Sequence, residues 1–216
     1  AFLEYVKNDI PVICICFTPS LSGSYNSACS AKEIVLEEYP TAKLEVINSE
    51  CATVSQALFV IEACKMKEEG VPFEKNVEIL EKIKATNHVF FTISDLKYLK
   101  AGGRIGKIAG RAVDMLSVKP LITLKKGSIE FSGIVRSRKK ALSKVIEKLK
   151  EYFSKKGEDP KEYEFAVGYG YDLEEGKEFY KEVCDSIEKM AGKKMVKFMQ
   201  IGATIISHTG PGALGI

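Results

Sequence analysis

The chain runs from a continuous apolar stretch, Val12-Ile13-Cys14-Ile15-Cys16-Phe17, straight into Thr18-Pro19-Ser20-Leu21-Ser22-Gly23-Ser24-Tyr25-Asn26-Ser27-Ala28. An apolar strand without polar alternation is the pattern of a parallel strand buried on both faces, and parallel strands need helical crossovers. The small hydroxylated residues close the strand, and a helix begins near Tyr25. The same unit offers a place for an anion. N–H groups in a first helical turn lack intrahelical partners and sit at the positive end of the dipole. Serine hydroxyls add donors there, and Gly23 admits a close approach to the backbone. No G-x-x-x-x-G-K-[ST] and no G-x-G-x-x-G stands near the turn, so a small carboxylate fits it as well as a nucleotide does. An ordinary N-cap fits the same residues, because Ser and Asn favour helix starts anywhere.

Strand and helix then alternate. A helix to about Glu38 ends before Pro40, and Leu44–Ile47 reads as a second strand. Val54–Lys67 carries apolar residues at helical spacing (Ala57, Leu58, Ile61, Cys64) and is stopped by Gly70, and Val77–Ile83 forms a helix after Pro72. This βαβα order favours a parallel α/β domain. Beyond the boundary, placed near Lys84–His88, the pattern changes. Val89–Ile93 is a strand, followed by a helical turn through Leu99, a glycine loop at Gly102-Gly103 and a short helix at Ala109–Leu116. Pro120–Leu124 and Ile129–Val135 flank Lys125-Lys126-Gly127-Ser128, a β-hairpin with glycine in the turn. Lys139–Phe153 is an amphipathic helix, Phe165–Tyr169 a strand, Glu174–Met190 a helix, Val196–Met199 a strand, and Gly202–His208 a short ambiguous segment. The expectation is an α/β protein of two domains: a parallel α/β domain over 1–86 and an α+β domain with a mixed or antiparallel sheet over 87–216.

Composition narrows the function. The net charge is +3, from 32 basic and 29 acidic residues, without the concentrated basic excess of a nucleic-acid binder. The basic run Arg136-Ser137-Arg138-Lys139-Lys140 is accounted for by a solvated helix face as readily as by a docking patch. No apolar run reaches the roughly 18 residues of a membrane span, so no stable insertion is expected, although transient membrane contact is compatible with the chain. The first residues, Ala1-Phe2-Leu3-Glu4-Tyr5-Val6-Lys7, lack an initiating Met and read as the end of a helix cut from a longer chain, not as a signal peptide. The six cysteines (14, 16, 29, 51, 64 and 184) form no C-x-x-C pair. With two histidines in the chain a metal site has few ligands, and the reading is reduced core thiols in a cytoplasmic protein.

Three segments carry a family resemblance. They are Leu21-Ser22-Gly23-Ser24-Tyr25 with Asn26-Ser27-Ala28; Asp95-Leu96-Lys97-Tyr98-Leu99-Lys100-Ala101-Gly102-Gly103-Arg104-Ile105-Gly106-Lys107, running on to Lys119-Pro120-Leu121; and His208-Thr209-Gly210-Pro211-Gly212-Ala213-Leu214-Gly215. In this order and spacing the chain resembles the DegV family of bacterial fatty-acid-binding proteins. The resemblance implies a two-domain protein enclosing one long-chain fatty acid between its domains, with no other cofactor and no catalysis of its own. Some members present the acid to a partner kinase, which converts the carboxylate to an acyl-phosphate. The serine of the family's L-S-G-[ST] turn falls on Ser22, beside Gly23, and the histidine of H-T-G-P-G falls on His208, near the same head group. The family's earlier aspartate-serine strand and Thr-Ser-Gln-Pro segment have no counterpart, and Asn48-Ser49 stands where Asp-Ser is frequent, so the sequence reads as a fragment.

Energetics divide the task between tail and head. About fifteen buried methylenes at roughly 0.8 kcal/mol each give around 12 kcal/mol gross. A charge-assisted hydrogen bond adds only about 1.5–3 kcal/mol. The tail then supplies most of the affinity, and the polar turn selects for a carboxylate. Arg104, after Gly102-Gly103, and Arg136 and Arg138, beside a helix start, are candidate contacts for a phosphate or a partner; a buried ion pair is the plainer role for Arg104. His88 reads as structural. Two alternatives remain at this level: a serine hydrolase using Ser22, His208 and Asp95, though G-x-S-x-G is absent, and a domain binding a phosphate-bearing ligand.

Overall fold

The computed structural model describes residues 1–105, 118–192 and 195–216. The helix expected at Ala109–Leu116, and Gly106 and Lys107 of the glycine loop, lie outside the described residues. The chain divides into two compact units, Ala1–Asn87 with Lys126–Ser128, and His88–Lys125 with Ile129–Ile216. The turn of the hairpin therefore counts with the first unit, which no single cut in the sequence anticipates.

In the first unit α1 (Phe2–Val6) leads to β1 (Val12–Cys16), α2 (Ser24–Glu38), β2 (Leu44–Asn48), α3 (Thr53–Glu68) and α4 (Phe73–Ile83). β1 and β2 pair in parallel, from Val12 opposite Leu44 to Cys16 opposite Asn48. Ile47 is fully buried with Phe59, Ala63 and Met66 of α3 and Leu80 of α4, while Val6, Val35 and Leu44 make a smaller cluster. Two sequence expectations are corrected here. β1 is half-buried from Val12 to Ile15, with only Cys16 fully buried, because the described sheet has two strands and β1 is one of its edges. In α3 the core face is Val54, Ser55, Phe59, Ala63 and Met66, not Ala57, Leu58, Ile61 and Cys64, and Cys64 is exposed. The helix is apolar around most of its circumference, so spacing alone does not choose the face.

The second unit holds β3 (His88–Thr92), α5 (Lys97–Ala101), β4 (Lys119–Lys125), β5 (Ser128–Val135), α6 (Arg138–Lys156), β6 (Ala166–Tyr169), α7 (Leu173–Ala191), β7 (Lys197–Gln200), α8 (Ala203–Thr209) and β8 (Leu214–Gly215). The sheet order is β5-β4-β3-β8-β6-β7. β3 runs antiparallel to β4 and β8, β8 antiparallel to β6, and β6 parallel to β7, giving the mixed sheet of an α+β unit. Ala141, Val145, Leu149 and Phe153 of α6 and Phe179, Val183 and Ile187 of α7 bury against Phe90, Leu121, Val167 and Leu214 of the sheet. The Ser137 and Asp172 side chains accept from Lys140 N–H and Glu175 N–H, capping α6 and α7 at their starts. His88 takes the structural place expected of it, its ring centroid 4.4 Å from that of Tyr152. No described helix is long and apolar enough to cross a membrane.

Candidate functional site

The turn after β1 is organised by buried backbone. Leu21 and Ser22 N–H groups both donate to the Thr18 carbonyl, at 3.0 and 3.2 Å. The Thr18 hydroxyl, buried, donates to the Gly127 carbonyl at 2.9 Å, and the Ser20 hydroxyl donates to the same oxygen. Gly127 N–H in turn donates to the Glu50 carbonyl. Two of the hydroxyls that the sequence offered to an anion are thus spent on the protein. Ser22 and Ser24 remain. Ser22 Oγ accepts from Ser24 N–H at 3.2 Å and meets Ser24 Oγ at 3.1 Å, with no bond outside the turn among the described residues. α2 begins immediately afterwards, with Gly23 at its N-cap, no side-chain cap, and nothing within 4 Å of where a Cβ on Gly23 would stand. The space beside Gly23 is open at a helix start whose first-turn N–H groups have no intrahelical partners, the setting an anion site requires, although Ser24 N–H is already taken by Ser22 Oγ.

The turn after β2 lies at the same, carboxyl-terminal end of the parallel pair, where open α/β sheets place their ligands. Ser49 Oγ, fully buried, donates to the Cys16 carbonyl at 2.7 Å and ties the two strand ends together. Asn48 Oδ1 accepts from Glu50 N–H. Glu50 and Thr53 adopt φ of 52° and 57°, and Thr53 Oγ1 is buried without a hydrogen-bond partner among the described residues. A β-branched residue at positive φ is rare, and such strain gathers at functional turns. Sequence reasoning passed over Thr53; nothing in its neighbours signals this backbone. Burial pushes the nearby Cys51 thiol up to about 11, while burial and the Cys14 thiol push Cys16 up to about 12, so both stay protonated at neutral pH.

In the second unit the two longest motifs meet. A Cβ on Gly212 would overlap Ser94 Oγ, one on Gly210 would lie 2.6 Å from Tyr98 Cδ2, and one on Gly102 would overlap His208 Nδ1. The H-T-G-P-G strap therefore packs directly on the segment from Ser94 to Gly102. The His208 ring is half-buried, and its Nδ1 is buried with no hydrogen-bond partner among the described residues. The end of α5 explains the paired glycines. Arg104 N–H donates to the Leu99 carbonyl and Gly103 N–H to the Lys100 carbonyl, with Gly103 at φ 66°: a Schellman ending in which Gly103 supplies the left-handed residue.

Asp95 caps α5 by accepting from Lys97 N–H at 2.9 Å and pairs with Lys97 Nζ at 3.7 Å. A catalytic triad needs an acid on the histidine nitrogen remote from the serine, and neither Asp95 nor any other described acid bonds His208 Nδ1. The arginines separate. Arg138 makes a two-pronged pair with Glu175, 2.7 Å for each bond, and so is committed to joining α6 with α7 rather than being free for a docking patch. Arg104 is exposed, with Nη1 donating to the Gly102 carbonyl at 2.6 Å, and so does not have the burial that the ion-pair role considered for it required. Arg136 is exposed. Ser22 and Gly23 belong to the first unit, His208, Arg104, Arg136 and Arg138 to the second. Among the described residues no group of three or more His, Cys, Asp or Glu side chains is arranged to hold a metal ion.

Comparison with known proteins gives this arrangement a context. A family model described as "Uncharacterised protein, DegV family" matches residues 1–216. A DegV domain-containing protein of Clostridium perfringens is 30% identical over 217 residues, covering 100% of this chain and 72% of that protein. Among solved structures, a stearic acid-binding protein from Eubacterium ventriosum superposes with a TM-score of 0.88 at 42% identity, over 99% of this chain and 72% of that one. A fatty-acid-binding DegV family protein from Thermus thermophilus superposes with a TM-score of 0.77 at 28% identity, over 95% of this chain and 69% of that one.

Proposed function

This chain belongs to the DegV family, and on that premise we propose that it binds a long-chain fatty acid, its carboxylate held by the Ser22–Gly23 turn and His208. The observation that carries the class is the likeness, at 42% identity and a TM-score of 0.88, to a protein that binds stearic acid. The turn supports the head-group assignment: Ser22 stands beside a helix start that has no side-chain cap on Gly23 and open space at that glycine, at the end of a parallel strand pair. The protein acts as a binding subunit. It presents the carboxylate to a partner kinase, which forms the acyl-phosphate, and exposed Arg104 and Arg136 are the contacts proposed for that partner or its phosphates. The missing acid on His208 Nδ1 weighs against a hydrolase built from Ser22, His208 and Asp95.

Titration with a fatty acid and with its methyl ester of equal tail length tests the head-group reading. The acid is expected to bind at least about tenfold more tightly, because donors aimed at an anion lose their full partner in the ester. Equal binding would overturn the carboxylate site, and native mass spectrometry without a fatty-acid adduct after loading would overturn the ligand class.

A further inference from the structure

The two adjacent glycines at the end of α5 are glycines for different reasons, and the difference reaches His208. Gly103 has φ 66° and nothing within 4 Å of a Cβ placed on it, so backbone conformation accounts for it. Gly102 has φ −78° and ψ −4°, an ordinary conformation open to any residue. What a side chain at 102 meets is the His208 imidazole: a Cβ there overlaps Nδ1 and lies 3.0 Å from Cε1 and 3.2 Å from Cγ. We propose that Gly102 is the positioning residue for His208, its bare Cα forming the floor on which the ring lies and fixing which ring nitrogen faces outward.

The chemistry of the floor selects the tautomer. Nδ1 is buried against Gly102 with no hydrogen-bond partner among the described residues. An N–H there would point its hydrogen into the Gly102 backbone with nothing to accept it, whereas an unprotonated nitrogen brings no hydrogen into that contact and can receive the weak Cα–H of Gly102. The neutral ring accordingly carries its proton on Nε2, and Nε2–H is the donor turned toward a ligand. The contact also pins the ring against α5, whose carbonyl ends are closed by the Gly103 and Arg104 N–H groups. The consequence for binding rests on the carboxylate reading of His208; the positioning itself does not.

The test uses Gly102→Ala, His208→Ala and the double variant in the full chain. At an ordinary φ, Gly→Ala is normally neutral or stabilising, so the clash makes an opposite sign diagnostic. Gly102→Ala is expected to lower the melting temperature, and the double variant to recover above it, because removing the ring removes the clash. Ring-nitrogen NMR above the imidazole titration range reads the tautomer. With two histidines in the chain, a His208→Gln variant assigns the signals. Wild-type protein should show Nε2–H alone, and Gly102→Ala a displaced or mixed pattern. Affinity for cis-parinaric acid should fall about tenfold in both single variants and no further in the double, as for a lost hydrogen bond to a charged group. Unchanged His208 signals in Gly102→Ala, or strictly additive melting temperatures, would overturn the positioning role. Coupled stability and altered signals with unchanged affinity in every variant would keep it and overturn the carboxylate role of His208.

Discussion

The turn around Ser22 leaves its glycine bare, whereas three glycines are pressed by side chains where the strap around His208 meets the α5 segment: Gly102 by His208, and the strap's own Gly210 and Gly212 by Tyr98 and Ser94. The first is shaped by hydrogen bonds, chiefly those converging on the Thr18 carbonyl and the Gly127 carbonyl, while its outer hydroxyls, Ser22 and Ser24, meet each other. The second is shaped by excluded volume, and its ring has one nitrogen already covered. A hydrogen-bonded turn tolerates added bulk but not a lost hydroxyl. A packed strap tolerates neither added bulk nor a moved ring, yet makes few polar demands. Two routes to a fixed local structure thus fail under different substitutions.

The strongest way to break this contrast is Gly210→Ala. Gly210 combines φ 82° with the Tyr98 ring 2.6 Å from a Cβ, so strain and overpacking add to about 2–4 kcal/mol of lost stability. Thermal and urea unfolding measure it, and a loss below about 1 kcal/mol would mean the strap is not packed. Ser22→Ala should leave unfolding unchanged while weakening fatty-acid binding by about 2 kcal/mol, read by titration of a fluorescent acid in a full-length protein. Unchanged affinity would remove Ser22 from the ligand set. Arg104→Ala and Arg136→Ala should spare binding but lower acyl-phosphate formation with a cognate kinase about tenfold, the equivalent of about 1.4 kcal/mol. Full turnover in both would leave the packed side without a partner role. The smallest effect belongs to Gly23→Ala, with a stability change within about 0.5 kcal/mol because φ is −71° and the space is open. A larger loss would show the first turn to be packed as the second is.

Much of the architecture could be read from the residues, and the exceptions are instructive. The hairpin was legible because a two-residue turn with positive φ at Lys126 and Gly127 announces itself through glycine. α6 and α7 were legible from their apolar stripes. The buried face of α3 was not, since an all-round apolar helix offers several equivalent stripes. β8 has two residues and no periodicity to detect; its place comes from partners, Phe91 opposite Gly215 on one side and Gly168 opposite Gly215 on the other. At the site, Ser22, Gly23 and His208 stood out through motifs. Sequence could not tell that the Thr18 and Ser20 hydroxyls were already engaged, or that Glu175 holds Arg138, because those partners lie far away along the chain. It also gave Gly102 and Gly103 one role as a loop, when tertiary packing divides them.

β8 has a further meaning in kinetic terms. The sheet of the second unit consists of β5-β4-β3 on one side and β6-β7 on the other, and Leu214–Gly215 is the only strand that joins them in the described order. Phe90 and Ile216 exchange both backbone bonds, and Gly170 N–H reaches the Ala213 carbonyl. These are contacts of very high sequence separation, and such closures are slow because loop entropy is lost before they reward it. Each flank can assemble early, but the sheet becomes continuous only when the last of its strands is inserted. The strap bearing His208 leads directly into that strand, so the seating of His208 on Gly102 matures in the same late step that completes the sheet.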